Sequence, residues 1–318
     1  MQIAGNDERG IVERVVVAVW HTGTEALTLL GTGVYGRCYG VILARPPYRA
    51  AIKLHHVPGM AAAEAAQLRA LRTHLPLPAL IPHVYACLPQ LDLEAERPLG
   101  AVAMEWLPGE SCGRPEALPR PHRVILQRGL VDLLLTLHRV VHPAGYGAFA
   151  GPFHPTWWDA YGPRLRATQE AILTSAESRA YLGRPVLALM ERTLAHAERI
   201  LATTPDPRPV LLHGDVCFGN LLVDPVSWHV CGLLDPLDAE WGERELDLVN
   251  VINGHVRHFE VLNGYRAAVN LGPSFPLRYW FYQVWKWLSY HVRVGAPCRA
   301  WVLRCGRELE KAMERALP

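Results

Sequence analysis

The segment Val210-Leu211-Leu212-His213-Gly214-Asp215-Val216-Cys217-Phe218-Gly219-Asn220-Leu221-Leu222-Val223 decides how the rest of the chain is read. A short apolar run with strand character delivers Asp215 into a loop. Asn220 follows five residues later, and a second apolar run begins at once. A third run, Val230 to Leu234, ends at Asp235. Two carboxylates and an amide at the ends of short strands suit phosphoryl transfer. One carboxylate can take the proton of an attacking hydroxyl, while the amide oxygen and the second carboxylate hold Mg2+ against nucleotide phosphates.

Upstream, Gly31-Thr32-Gly33-Val34-Tyr35-Gly36 lies between two strand-like runs, where missing side chains let backbone amides approach phosphate oxygens. A plain glycine-rich hairpin has the same pattern, and a dinucleotide fold is disfavoured because no helix follows the glycines. Lys53, on the next strand, adds an ammonium within reach of phosphates. Glu64 is the one acidic residue between Lys53 and Asp92, and it falls in an Ala-, Gln- and Leu-rich helix expected over residues 61–72, which makes it the expected partner.

Further strands are expected at 26–30, 38–43, 49–54 and 99–104. Glu105-Trp106-Leu107-Pro108-Gly109 then reads as a crossover into a mainly helical part. Helices are expected over 122–139, 185–201, 277–294 and 299–317, with a Gly-, Pro- and aromatic-rich loop over 143–158. The fold class is therefore α+β. Residues 1–104 form a small strand-rich lobe for nucleotide, and 105–318 a larger helical lobe for catalysis and acceptor binding.

The 32 basic and 30 acidic side chains leave a net charge of +2, which argues against nucleic acid or an anionic membrane surface as partner. Seven cysteines without a CxxC pair suit reduced thiols and a cytoplasmic protein. The aromatic stretch Tyr279 to Tyr290 contains Lys286 and is too short to cross a bilayer.

Taken in order, Gly31 to Cys38, Lys53, Glu64, His213-Gly214-Asp215 with Asn220, Asp235, and Gly242 to Asp247 resemble the aminoglycoside phosphotransferases and the fructosamine (ketosamine) kinases, which share a two-lobed protein-kinase-like fold. Asp235-Pro236 and Gly242-Glu243-Arg244-Glu245-Leu246-Asp247 are more similar to the fructosamine kinases. Val216-Cys217-Phe218 and Glu243 depart from that pattern. The resemblance implies Asp215 as catalytic base and Asn220 and Asp235 as Mg2+ ligands. It places ATP on Gly31, Gly33, Gly36, Cys38, Lys53 and Glu64, with adenine against the backbone of Met104, Glu105 and Leu107. Cys38 would lie under the adenine, where its oxidation would block nucleotide.

His213 is expected to brace the catalytic loop, and Asp247 either to hydrogen-bond back to that loop or to cap a helix. For the acceptor, Trp157 and Trp158 offer a sugar-stacking surface in the 143–158 loop, and Asp238, Glu240 and Glu243 an acidic wall for a cationic amine. His55 and His56 read as surface residues, and a metal on His138 and His142 is disfavoured. The helix near Glu245 follows Asp235 closely, and neither a DFG nor an Ala-Pro-Glu motif is present. That leaves little room for a peptide platform and favours a small hydroxylated acceptor. Three readings follow: a fructosamine-like kinase, an aminoglycoside or amino-sugar O-phosphotransferase, and a nucleotide-binding pseudokinase, the last disfavoured because Lys53, Asp215, Asn220 and Asp235 are all present.

Overall fold

A computed structural model describes residues 5–91, 99–112, 117–236, 238–251 and 260–317. The chain begins with α1 (Gly5–Trp20), β1 (Thr24–Thr32), β2 (Gly36–Leu43), β3 (Arg49–His55) and α2 (Met60–His74). It continues through β4 (Val84–Leu91), β5 (Leu99–Glu105) and β6 (Glu110–Ser111) to the helices α3 (Arg120–Arg139), α4 (Trp157–Thr174), α5 (Ala176–Ala195) and α6 (Ala197–Leu201). Four short strands follow: β7 (Val210–Leu212), β8 (Leu221–Val223), β9 (Val230–Leu233) and β10 (Glu240–Gly242). The chain closes with α7 (Glu245–Val251), α8 (Val261–Ala268), α9 (Phe275–Val294) and α10 (Arg299–Ala316).

Two compact units result. The first is Met1–Arg114 with Cys217–Asp238, and the second is Pro115–Val216 with Ala239–Pro318. The segment carrying Asn220 and Asp235 thus packs with the N-terminal strands, although a single boundary near residue 104 assigns it to the C-terminal part.

The first unit is built on an antiparallel sheet of order β1-β2-β3-β5-β4. Side chains alternate across a strand. Ile52 and Leu54 of β3 pack with Ala101 and Ala103 of β5 against Ile11, Val12, Val15 and Val16 of α1. Each aliphatic side chain buried this way contributes about 1.5–3 kcal/mol. Lys53 lies between them in sequence and so takes the other face, where α2 supplies Glu64. Sequence pattern gave no sign of α1 as a helix, because Glu13 and Arg14 interrupt its apolar run. Both are exposed while the residues at helical spacing around them are buried. A small second sheet, β6-β8-β9, completes this unit.

The second unit is mainly helical, around a core to which α9 contributes Phe281, Tyr282, Trp285 and Leu288. In it β7 pairs antiparallel with β10. The expected 143–158 loop is shorter than its composition implies, because α4 begins at Trp157 with Thr156 as its N-cap.

Candidate active site

In the first unit, β3 and α2 bring Lys53 and Glu64 together: the ammonium lies 2.9 Å from Glu64 Oε2 and 2.7 Å from Asp235 Oδ1. Burial disfavours the ammonium, but the two carboxylates outweigh it and hold the Lys53 pKa above its ordinary value. The same balance, with Lys53 and His55 opposing burial, keeps Glu64 below the usual carboxylate range. His55 is a participant that sequence reading placed on the surface. It is 1% exposed, and its Nε2 sits 2.7 Å from Glu64 Oε2. Its position two residues beyond Lys53, on the same side of β3, was the available signal.

Asn220 and Asp235 flank a pair of hydrogen-bonded strands. Asn220 closes a 3-10 turn over Phe218–Asn220 just before β8, and Leu221 pairs with Leu233 of β9. The Leu234 amide donates to the Asn220 carbonyl at 2.8 Å, so Asp235 leaves the ladder beside Asn220. Asp235 has φ 57°, a left-handed conformation that aspartate tolerates at some cost, and half of its side chain is exposed. Two hard oxygen donors, one charged, fit a Mg2+ ion that takes its remaining ligands from phosphate and water. Among the described residues no group of three or more His, Cys, Asp and Glu side chains could hold a metal ion.

The three glycines divide by role. A Cβ on Gly36 would lie 1.9 Å from the Leu54 carbonyl oxygen, so Gly36 lets β2 and β3 approach. Gly31 has open space around it, and Gly33 donates its amide to the Gly36 carbonyl across the hairpin. Cys38 faces Lys53 in the β2–β3 register. Burial, with the nearby Glu64 and Asp235 carboxylates, pushes its thiol up to about 12 against the pull of Lys53, which disfavours the thiolate. Met104 and Leu107 are buried, and Glu105 accepts from the His83 amide and faces Arg72 at 3.5 Å.

The second unit presents Asp215 after β7, with a third of its side chain exposed. Asp247 holds the loop that carries it. This carboxylate is fully buried and accepts from the His213 amide at 3.1 Å and the Gly214 amide at 2.8 Å. Asn250 Nδ2 donates to the Gly214 carbonyl, and Gly214 itself needs φ 82°. Asp247 does therefore reach back to the loop. His138, whose pKa burial lowers despite Asp247, is neutral. Its Nδ1 lies 2.7 Å from the Tyr265 hydroxyl and its Nε2 3.4 Å from Asp247, which suits a proton on Nε2. His213 is fully buried and its Nδ1 lies 3.4 Å from the Asp215 amide, a long contact compatible with bracing. Lys286 of α9 was noted in the sequence only as an interruption of an aromatic run. Its ammonium stands 4.0 Å from Asp215 Oδ1.

The residues expected to meet an acceptor are mostly turned to other tasks. Trp157 is 3% exposed, stacks on Tyr161 and donates its indole N–H to Tyr282. It starts a helix and faces the core, so the loop-borne stacking surface is corrected in its case. Trp158 is partly buried and packs under the Arg166 guanidinium. Glu240 is buried and held by both terminal nitrogens of Arg164. Glu243 is buried, accepts from Tyr282 at 3.1 Å, and burial together with Glu245 raises its pKa to about 8. Asp238 stays exposed at φ 60°, in the other unit. Glu240 and Glu243 thus form no open acidic wall.

Glu245 pairs instead with Arg278 of α9, at 2.6 and 2.7 Å. Arg278 is fully buried and donates further to Thr203 and Leu271, so the guanidinium is satisfied on every side. This pair fixes the start of α7, and with it Asp247.

A strand-rich unit with a buried Lys–Glu pair met by a half-exposed aspartate, and a helical unit with a braced aspartate loop, define the class of kinase-like phosphotransferases. The family model described as the phosphotransferase enzyme family matches residues 29–279, well over half of the chain, and the chain belongs to that family. Solved structures share its fold. A candidate aminoglycoside phosphotransferase from Ralstonia eutropha JMP134 is 13% identical, with a TM-score of 0.64 over 98% of this chain and 99% of that one. The aminoglycoside 2'-phosphotransferase-IIIa in its GDP complex is 13% identical, with a TM-score of 0.57 over 98% and 99% of the two chains. An ethanolamine kinase from Plasmodium vivax is 11% identical, with a TM-score of 0.56 over 100% and 90%. No curated protein matches the sequence. Among the described residues no helix is long and apolar enough to cross a membrane.

Proposed function

We propose that the chain is an ATP- and Mg2+-dependent phosphotransferase that moves the γ-phosphate to a hydroxyl of a small sugar-like acceptor, with a ketoamine of the fructosamine type preferred over a polycationic aminoglycoside. The observation that carries the phosphotransferase reading is the Lys53–Glu64–Asp235 cluster with Asn220 at its side. A buried ammonium held charged by two carboxylates is placed to take phosphate oxygens, and Asp235 is exposed enough to exchange Lys53 for a metal. Mg2+ bound to Asn220 and Asp235 would neutralise phosphate charge. Lys53 and the Gly31–Gly33 turn would orient the nucleotide, and the Asp215 carboxylate would receive the proton of the attacking hydroxyl. The work is positioning and charge stabilisation, because little covalent chemistry falls to the protein in this reaction.

The preference within acceptors rests on charge. Glu240 is neutralised by Arg164, Glu243 holds a proton at neutral pH, and Lys286 puts a cation beside Asp215. Lys286 offsets part of the negative field of Asp215, so an acceptor ammonium gains less there than an unpaired carboxylate would offer. A neutral or singly charged acceptor depends less on such a field than a polycationic one does. The test is mass spectrometry of products after incubation with Mg·ATP and a mixed panel of ketoamines and aminoglycosides, with Asp215→Ala as control. A phosphorylated ketoamine, absent with Asp215→Ala, is the expected result. A phosphorylated aminoglycoside would move the chain to the antibiotic-modifying enzymes. Nucleotide binding with no product from any acceptor would support the pseudokinase reading instead.

A further inference from the structure

The second unit contains a cleft of about 350 Å3 at the C-terminal end of α3, lined also by residues just before β7 and at the end of α8. Its polar wall consists of three guanidinium groups, Arg139, Arg208 and Arg244, with His138, Tyr265 and a single carboxylate, Asp206. Neither Lys53, Asn220, Asp235 nor Asp215 lines it. Three positive charges against one negative leave a surplus of two, since His138 is neutral.

Asp206 already shows how the cleft treats an oxyanion. It accepts from Arg208 Nε and Nη2, both at 2.6 Å, and from Arg244 Nη2 at 2.7 Å. One carboxylate cannot use all the donors offered. A guanidinium carries five N–H groups, and these contacts engage two on Arg208 and one on Arg244, which also bonds to Tyr265. Arg139 has no ion pair among the described residues. The Arg244 side chain is only 10% exposed, so its charge is poorly hydrated, and the one carboxylate it pairs with directly is a third exposed and shared with Arg208. Forked donors around a concave volume, with surplus positive charge, match a tetrahedral oxyanion better than a neutral or cationic ligand.

We propose that this cleft is a binding site for a phosphate dianion, free or as a phosphate monoester, held by Arg139, Arg208 and Arg244. The site does not depend on the phosphotransferase reading, because none of the residues assigned to nucleotide or acceptor lines it. Its back wall is shared with the brace of the catalytic loop: Tyr265 meets His138, which meets Asp247.

The test is isothermal titration of the full chain with inorganic phosphate at pH 7.5, without nucleotide or Mg2+, at ionic strength held constant with chloride. One saturable site is expected, at least tenfold weaker in Arg139→Gln and in Arg208→Gln, or about 1.4 kcal/mol. Both positions are exposed, so neither variant endangers folding. Lys53→Met, which removes the ammonium assigned to nucleotide phosphates, should leave the site intact within twofold. Acetate should bind at least tenfold more weakly than phosphate. With glycerol 3-phosphate, equal or tighter binding assigns the cleft to monoesters, and weaker binding assigns it to the free ion. The proposal is overturned if wild type shows no saturable phosphate binding, if both arginine variants keep it, if Lys53→Met loses it, or if acetate matches it.

Discussion

Replacing Glu243 by Gln separates two readings of one carboxylate. As part of an acidic wall it would face an acceptor. In the structure it is 5% exposed, bonded to Tyr282, and protonated up to a pH of about 8, against 4.5 for an ordinary glutamate. The unfolded chain would release that proton near 4.5. Between the two values the folded state holds a proton the unfolded state has lost, so stability is greatest at low pH and falls as pH rises toward 8. From pH 5 to 7.5 the loss attributable to Glu243 is about 3 kcal/mol, at 1.36 kcal/mol per pH unit. Gln keeps the shape and an acceptor for Tyr282 but has no proton to lose. Its extra N–H groups cost about 1–2 kcal/mol if they find no partner, a cost independent of pH. The difference between variant and wild type should therefore move by about 3 kcal/mol in the variant's favour across that range. Urea unfolding followed by tryptophan fluorescence at pH 5, 6.5 and 7.5 measures it. Parallel pH curves for the two proteins would refute the buried-acid account. A rise in acceptor KM without a change of slope would restore the acidic wall.

Three further perturbations probe the rest of the site. Asp247→Asn leaves one amide oxygen for two backbone donors, so a charge-assisted bond worth about 1.5–3 kcal/mol is lost and a donor is left to face a donor. The melting temperature should fall and kcat drop with nucleotide affinity unchanged, as calorimetry and steady-state kinetics would report. Lys286→Met should raise kcat/KM for a polycationic acceptor relative to a neutral one by about tenfold; an equal loss for both would assign Lys286 to positioning Asp215 alone. Asp235→Ala should raise the Mg2+ concentration needed for half-maximal rate, and a wild-type magnesium titration would remove Asp235 from the ligand set.

What was legible in the sequence, and what was not, follows from how each residue is recruited. The structure brings Lys53 and Glu64 together as expected and sets Asn220 and Asp235 side by side, because strand positions and one helix turn place them and short-range pattern records those positions. For Asp247 the sequence left a brace of the loop and a helix cap open, and the structure shows the brace. His55 was missed although strand alternation puts it on the same face of β3 as Lys53 and so beside Glu64, whereas Lys286 was missed because Asp215 lies seventy-one residues upstream. Periodicity is blind to the second.

The run from Glu240 to Asp247 shows the limit most clearly. It contains four carboxylates within eight residues, which sequence alone would class together as acidic. Packing gives each a different charge environment. Glu240 meets Arg164 from α4, Glu245 meets Arg278 from α9, Asp247 meets two backbone amides, and Glu243 accepts from a phenol while feeling the opposed fields of Glu245 and of Arg278 and Arg244. The first three gain cationic or N–H partners in direct contact, and Glu243 keeps its proton because burial and Glu245 outweigh the pull of Tyr282, Arg278 and Arg244. Acidity at a site is therefore set by which helix faces each position, and the acceptor preference proposed above rests on those facing residues rather than on the number of acidic letters near the catalytic loop.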